Sequence, residues 1–247
     1  MTIVAVRRFA DLDALSRAAV DDLATIAHDA IAARGACHVA LSGGSTPKRL
    51  FQRLAALGRE ALPWDRVVLW WGDERTVAPD HADSNYRMAR ETLIAPLALT
   101  HVHRIEAERD PAEAASAYEA DLVATLGDPP ELDLVWLGMG PDGHTASLFP
   151  GSPALLEGHR LVVANPVDSP LTRGPTTRIT LTARAINAAR HVRFLVAGAD
   201  KADTLAAVIA GPRRPATYPS QMISSRDLVW FVDEAAASRL HPKDEPR

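Results

Sequence analysis

The stretch GMGPDGHTASLFPG, residues 138–151, sets one histidine and one aspartate among four glycines and two prolines. It follows the apolar run LDLVWL, which predicts a buried strand. With Asp142 as N-cap, His144 falls in the first turn of a short helix, where the positive helix end disfavours imidazolium. A neutral histidine in a crevice is a competent general base, and nearby backbone N–H groups can stabilise an oxyanion. The alternative is a histidine that only hydrogen-bonds locally; the turn chemistry and the strand-end position favour function.

A second candidate site is the segment GGSTP at 43–47, which follows the apolar run CHVALS. Gly43 and Gly44 permit close backbone approach, and Thr46 is the predicted N-cap because Pro47 suits the first helical position. A glycine turn that opens onto a helix N-terminus is a ready phosphate site. The spacing is neither that of a Walker A loop nor that of a dinucleotide fingerprint. An ordinary capped helix start is the alternative interpretation.

Charged residues follow two further apolar runs. Asp73, Glu74 and Arg75 come directly after RVVLWWG, so at least one is expected to face a crevice, and a solvated charged turn is the alternative. Lys201 follows VRFLVAG and falls in a predicted first helical turn, where a cation opposes the helix dipole. An anionic ligand would explain that lysine, and a side chain extending to solvent is the alternative.

Other chemistry-bearing residues favour structural interpretations. His101 and His103 have no Cys or His cluster beside them, and Gly-x-Ser-x-Gly does not occur. The single Cys37 opens an apolar run and is interpreted as a core thiol in a reducing compartment. The five tryptophans are interpreted as core residues. The sequence therefore predicts neither a metal site nor a cofactor.

The elements that must position these residues alternate between short apolar runs and longer segments of helical period. Predicted strands are 2–8, 37–42, 66–72, 132–138, 160–165, 178–182, 192–198 and 228–233; predicted helices are 11–33, 47–57, 84–95, 111–126, 183–190, 200–210 and 234–240. The alternation predicts an α/β fold, a mostly parallel, doubly wound, Rossmann-like sheet covered by helices on both faces. Ligands of such sheets sit beyond the carboxyl ends of the strands, where all four charged or glycine-rich segments fall.

Domain organisation and location follow from composition. No linker or composition shift marks a boundary, so residues 1–247 are predicted to form a single domain, and 165–177 is predicted to be a surface loop. A net charge of −4 provides no basic face for nucleic acid, and no apolar run approaches the ~20 residues that span a bilayer. We expect a cytoplasmic protein, a monomer or small homo-oligomer, with neither a nucleic-acid nor a membrane partner.

With those residues in view, the chain resembles the glucosamine-6-phosphate isomerase/6-phosphogluconolactonase family, on its lactonase side. The matching segments, in the family's order, are LSGGSTPKRLF, WGDER with SNYRMARETL, LVWLGMGPDGHTASLFPG, RITLT and LVAGADKADTL. The resemblance implies a sugar-phosphate isomerase-like fold. It also implies a sugar-phosphate lactone as the small-molecule partner, hydrolysed as 6-phospho-D-glucono-1,5-lactone in the pentose phosphate pathway.

The resemblance also implies residue roles. His144 would activate water, with Asp142 and Asp73 as acidic residues at the catalytic centre. The implied substrate- and phosphate-binding residues are Gly43, Gly44, Ser45, Thr46, Arg75, Arg178 and Lys201. Isomerases and deaminases of the same fold carry a carboxylate five residues after the histidine, and this chain has Phe149 there. A non-catalytic sugar-phosphate sensor is a further alternative, although no DNA-binding segment is evident.

Overall fold

The computed structural model describes residues 3–172 and 174–241. Its strands are β1 (Ile3–Phe9), β2 (Cys37–Leu41), β3 (Val67–Trp71), β4 (Asp73–Arg75), β5 (Leu134–Leu137), β6 (Val162–Val167), β7 (Thr176–Leu181), β8 (His191–Val196) and β9 (Asp227–Asp233). Its α-helices are α1 (Leu12–Arg34), α2 (Ser45–Leu57), α3 (Asn85–Ala89), α4 (Pro111–Leu126), α5 (Ala183–Ala188) and α6 (Ala202–Ile209). No helix in these ranges is long and apolar enough to cross a membrane.

Six strands form a parallel central sheet in the order β1-β9-β8-β5-β2-β3, flanked by helices. Central strands of such a sheet are covered on both faces, which explains why VVLWW and LVWL are continuously apolar. Trp70, Trp71 and Trp136 are almost entirely buried, and the predicted core positions of the other tryptophans are confirmed. The predicted mostly parallel α/β fold is confirmed.

A second, three-stranded antiparallel sheet has the order β4-β7-β6. It corrects two predictions. The charged segment after β3 is strand β4 and not the solvated turn given as the alternative, and five of the thirteen residues of the predicted 165–177 loop belong to β6 and β7. Pro166 is tolerated in β6 because β6 is an edge strand of this sheet.

A single residue, Gly72, separates β3 from β4 and therefore joins the two sheets. Its N–H donates to the Leu41 carbonyl in the central sheet at 2.9 Å, and its carbonyl accepts from the Leu181 N–H of β7 at 2.8 Å. The small sheet is thus held against the central sheet at the end of β3.

Helix ends follow local capping chemistry. The Ser84 hydroxyl caps α3, because it accepts from the Arg87 N–H in the first turn at 3.0 Å. The predicted helix 84–95 is helical over 85–94, with α-helical hydrogen bonding in Asn85–Ala89 and π-helical hydrogen bonding in Arg90–Ile94. The predicted helix 234–240 is only a 3₁₀ turn, Ala236–Arg239.

Candidate active site

A cleft of about 290 Å³ lies where the chain leaves β2, β3, β5 and β8. This volume is near the lower end, roughly 300 Å³, of small-molecule sites. The structure brings together at this cleft most of the predicted site residues: Gly43, Gly44, Ser45, Thr46, Asp73, Arg75, His144 and Lys201. Asp142 and Arg178 do not line it directly; each pairs with a residue that does, as described below.

The helix that faces the cleft begins two residues earlier than predicted. Gly44, at φ 107°, is the N-cap of α2, and Ser45 is its first residue, so the prediction of Thr46 as N-cap is wrong. Glycine reaches this backbone conformation without the strain that a side chain would add. In the described part of the chain no side chain caps this helix. Its first-turn N–H groups therefore face the cleft without a side-chain acceptor, which suits an anion.

Gly43 is required by a buried amide that the sequence analysis did not identify. A Cβ at Gly43 would lie 1.9 Å from the Asn85 Oδ1, so any side chain there would displace Asn85. Asn85 is 2% exposed, and its Nδ2 donates to the Asp73 carbonyl at 2.9 Å and to the Asp73 Oδ1 at 3.2 Å. The amide thus sets the distance between the glycine turn and β4.

Asp73 connects three elements rather than standing free in the cleft. It is 6% exposed, and its Oδ2 accepts a 2.6 Å hydrogen bond from the Ser147 hydroxyl. The adjacent Glu74 is buried, and its carboxylate accepts from the Ser84 hydroxyl and from the N–H groups of Asn85 and Tyr86. Burial raises the pKa of Glu74, and these hydrogen bonds act against that rise. Both carboxylates fix the start of α3 and the strand β4.

Two arginines lie side by side on the small sheet. Arg75 and Arg178 are directly paired across β4 and β7. Burial and then the charge of Arg75 lower the pKa of Arg178. The Arg75 Nε, the Arg178 Nε and the Arg178 Nη1 are buried without a hydrogen-bond partner in the described residues. Buried, unpaired donors of like charge are unfavourable alone, and a bound anion would satisfy them.

The turn that carries His144 is not helical, so the prediction of Asp142 as a helix N-cap is wrong. Asp142 does accept from the His144 N–H at 3.1 Å, as an N-cap would, but no helix follows. The chain instead folds back, with Ala146 at φ 46° and a bridge between Thr145 and Leu148. The helix dipole therefore does not act on His144, and its electrostatic partner is the Asp142 carboxylate.

Asp142 and His144 form a close carboxylate–imidazole pair. The Asp142 Oδ1 lies 2.6 Å from the His144 Nδ1. Burial alone would raise the pKa of Asp142, but its hydrogen bonds and attraction to His144 lower it overall. A carboxylate at Nδ1 places the proton there, which leaves Nε2 as the basic nitrogen. Nε2 forms no hydrogen bond with another described residue, and the ring lines the cleft.

Backbone acceptors anchor this turn to the surrounding elements. The Thr204 hydroxyl donates to the Pro141 carbonyl at 2.6 Å, and both the N–H and the hydroxyl of Ser220 donate to the Gly143 carbonyl at 2.9 Å. The Thr145 hydroxyl donates to the Gly138 carbonyl at 2.8 Å. Thr204 and Ser220 are far from the turn in sequence, and no local pattern identifies them.

Lys201 enters the cleft from a 3₁₀ turn, Ala199–Lys201, that precedes α6, and not from the first turn of the helix itself. Its Nζ lies 2.5 Å from the Asp200 Oδ2. Among the described residues there is no group of three or more His, Cys, Asp and Glu side chains that could hold a metal ion.

A glycine-lined basic cleft beyond parallel strands, with a carboxylate–histidine pair in its wall, is the site of an enzyme for a small anionic substrate. Residues 10–230 match the family described as glucosamine-6-phosphate isomerases/6-phosphogluconolactonase. The chain therefore belongs to this family, as the sequence motifs predicted.

Individual relatives cover nearly the whole chain. A 6-phosphogluconolactonase of Synechocystis sp. is 42% identical over 86% of this chain and 88% of its own length. One of Mycobacterium tuberculosis is 40% identical over 94% of this chain and 96% of its own. The structure of 6-phosphogluconolactonase from Trypanosoma cruzi superposes with a TM-score of 0.86 at 32% identity, covering 97% of this chain and 98% of that one.

Proposed function

We propose that this protein hydrolyses 6-phospho-D-glucono-1,5-lactone to 6-phospho-D-gluconate, with His144 as general base. The observation that carries the proposal is the Asp142–His144 pair, held at 2.6 Å in the wall of a basic cleft. Family membership and the names of the relatives support the reaction. The lone buried Cys37, which fits a reducing compartment, supports a cytoplasmic location.

The proposed chemistry needs one base and no covalent nucleophile. The His144 Nε2 takes a proton from water as the water oxygen bonds to the lactone carbonyl carbon. Asp142 holds the Nδ1 proton and stabilises the imidazolium that forms. When the tetrahedral intermediate collapses, the bond from that carbon to the ring oxygen breaks, and imidazolium returns the proton to that oxygen. Backbone N–H groups near the turn stabilise the intermediate's oxyanion.

Substrate binding is assigned to the other side of the cleft. The N-terminus of α2, formed by Gly43, Gly44, Ser45 and Thr46, offers N–H groups to the phosphate. Arg75, Arg178 and Lys201 supply positive charge beside it. Holding the phosphate there fixes the position of the lactone carbonyl relative to His144. The carbonyl and the base then react within one complex, so they need not find each other by diffusion.

The environment of His144 favours hydrolysis over isomerisation. An isomerase needs a second acid or base to move protons between neighbouring carbons. Residues 145–149 contain no carboxylate, and Phe149 packs on the imidazole. We therefore expect no conversion of glucosamine 6-phosphate to fructose 6-phosphate and ammonia.

The test is lactone hydrolysis by His144→Ala, with spontaneous opening subtracted in matched buffer. We expect kcat to fall by on the order of 10²–10⁴ with a small change in KM. His28→Ala is the matched control, because His28 lies on α1 with most of its side chain exposed. A folded His144→Ala protein that keeps most of its kcat would remove His144 from the mechanism.

A further inference from the structure

The imidazole of His144 is packed against an aromatic ring as well as paired with Asp142. The ring centroids of His144 and Phe149 are 4.1 Å apart, and the ring planes differ by only 18°. Phe149 is 6% exposed. On another side, a Cβ at Gly140 would lie 2.1 Å from the His144 Nδ1, so the ring also lies against the Gly140 backbone. The imidazole is thus held by Asp142, Gly140 and Phe149.

The fold of the turn brings Phe149 back over a ring five residues earlier. The reversal contains Ala146 at φ 46°, a left-handed conformation that strains a residue with a side chain. The Ser147 N–H donates to the Thr180 hydroxyl at 3.2 Å, and the Ser147 hydroxyl donates to Asp73. Such strain persists only where the surroundings fix it, and it is typical of functional sites.

An aromatic face beside an imidazole has a chemical effect besides packing. The negative face of a π-system attracts a cation, so Phe149 stabilises imidazolium relative to neutral imidazole. Of the titratable groups at the site, Asp142 bonds to Nδ1, and Asp73, Arg75 and Lys201 line the same cleft as the ring. Phe149 occupies one face of the ring.

We infer that Phe149 is a positioning residue: it fixes the plane of the His144 imidazole so that Nε2 faces the cleft, and it stabilises the protonated ring. This inference rests on the proposed role of His144 as general base. It explains why a bulky apolar residue occupies a position beside the reacting atoms of a polar cleft.

The test replaces the aromatic ring with an apolar side chain. In Phe149→Leu we expect kcat to fall on the order of tenfold with little change in KM, because the imidazole is less well oriented. We also expect the acidic limb of the kcat/KM profile to move about 0.5 pH unit lower, since imidazolium loses its aromatic partner. Phe149→Tyr restores a π-face and should recover both values.

A matched control separates this role from packing alone. Phe231 is buried as well, and it stacks on another ring, that of Phe9, at 5.4 Å, outside the cleft. Phe231→Leu should lower the melting temperature without moving the acidic limb. Should Phe149→Leu fail to fold, Phe149→Met provides the same test, because methionine also lacks a π-face.

A readout independent of activity is the NMR titration of labelled histidine, with His144 assigned from the spectrum of His144→Gln. A lower titration midpoint for His144 in Phe149→Leu supports the inference, and an unchanged midpoint overturns it whatever happens to kcat. If His144→Ala retained activity while that midpoint still moved, the proposed function would fail and the aromatic effect would stand.

Discussion

Two arginines at different places in the fold, one buried and one half-buried, differ in how the protein balances their charge. Arg193, at the amino end of β8, is 5% exposed and donates to Asp22 at 2.7 Å, to Asp227 at 2.8 Å and to two backbone carbonyls. Burial acts to lower its pKa, but the hydrogen bonds that Arg193 donates to the two carboxylates raise the pKa of Arg193 overall. Arg178, beside the cleft, has a lowered pKa and two buried nitrogens without partners.

The difference indicates separate roles for the amino end and the carboxyl end of the central sheet. At the amino end of the sheet, opposite charges lie together, as in Arg34 with Asp133 at 2.6 Å and His191 with Asp227 at 2.6 Å. Those pairs are complete without a ligand. At the carboxyl end, Arg75 and Arg178 lie side by side, and three of their buried side-chain nitrogens have no hydrogen-bond partner among the described residues. A buried charge with protein partners contributes to the fold, whereas one without them indicates a binding site.

The largest expected effect is on the paired arginine. Arg193→Met should lower the free energy of unfolding by about 3–5 kcal/mol, because it leaves Asp22 and Asp227 without their cation. Urea unfolding measures this change. Arg226→Met is the control: Arg226 pairs with Glu131 on the same edge but is half exposed, so its loss should cost under about 1 kcal/mol. Equal losses in the two variants would contradict the comparison.

The next effect is on the unpaired arginine. Arg178→Met should raise KM for the lactone about 10–100-fold, as expected when charge-assisted hydrogen bonds to the substrate are lost. Its unfolding free energy should not fall, because no protein partner is left unpaired. Steady-state kinetics and urea unfolding of one preparation test both statements. A loss of stability like that of Arg193→Met would show that Arg178 belongs to the fold.

A smaller expected effect is stabilisation by inorganic phosphate, which distinguishes the carboxyl end of the sheet from the amino end without substrate. Inorganic phosphate at ten times its dissociation constant should stabilise the wild-type protein by about 1.4 kcal/mol. Thermal unfolding at constant ionic strength, with chloride as the control anion, measures it. The stabilisation should persist in Arg226→Met and disappear in Arg178→Met. Equal phosphate effects in these two variants would place the anion elsewhere.

The smallest expected effect is a pH dependence at the amino end. Hydrogen bonding to His191, opposed by burial and helped by Arg193, lowers the pKa of Asp227 from 3.8 to about 2. Because this pKa is depressed in the folded state, the stabilisation is fully present above pH 3.8 and is lost as pH falls towards 2. Asp227→Asn should therefore lose less stability than wild type between pH 4 and 2. Parallel pH curves would exclude Asp227 as the titrating group.

The sequence predicted the location of the site because the end of each apolar run marks the end of a buried strand. Parallel strands place their carboxyl ends at one edge, so the segments around residues 43, 75, 144 and 201 had to converge, and they do. The core positions of the tryptophans were predicted from the same apolar runs. These features depend on periodicity, which is local.

Other features depend on contacts between distant segments. Asp142 in D-G-H resembles a helix N-cap because an N-cap and an isolated turn form the same hydrogen bond from the side chain to the backbone. The sequence does not show that the chain reverses at Ala146, which prevents a helix from following. Asn85 looks like an ordinary first-turn residue, and its contact with Gly43 arises only in the folded chain. Strand β4 is three residues long and carries charges, so no alternation identifies it.

The single-residue link at Gly72 has a consequence for motion. The α2 N-terminus follows a strand of the central sheet, whereas Arg75 and Arg178 belong to the small sheet, so an anion bound by both bridges the two sheets. Separation of the sheets and release of the anion are then coupled: a bound anion opposes separation, and separation favours release. Bound phosphate should accordingly slow amide hydrogen exchange in β4 and β7 far more than in β1 and β9. Amide exchange in the small sheet would therefore report anion binding from the backbone alone.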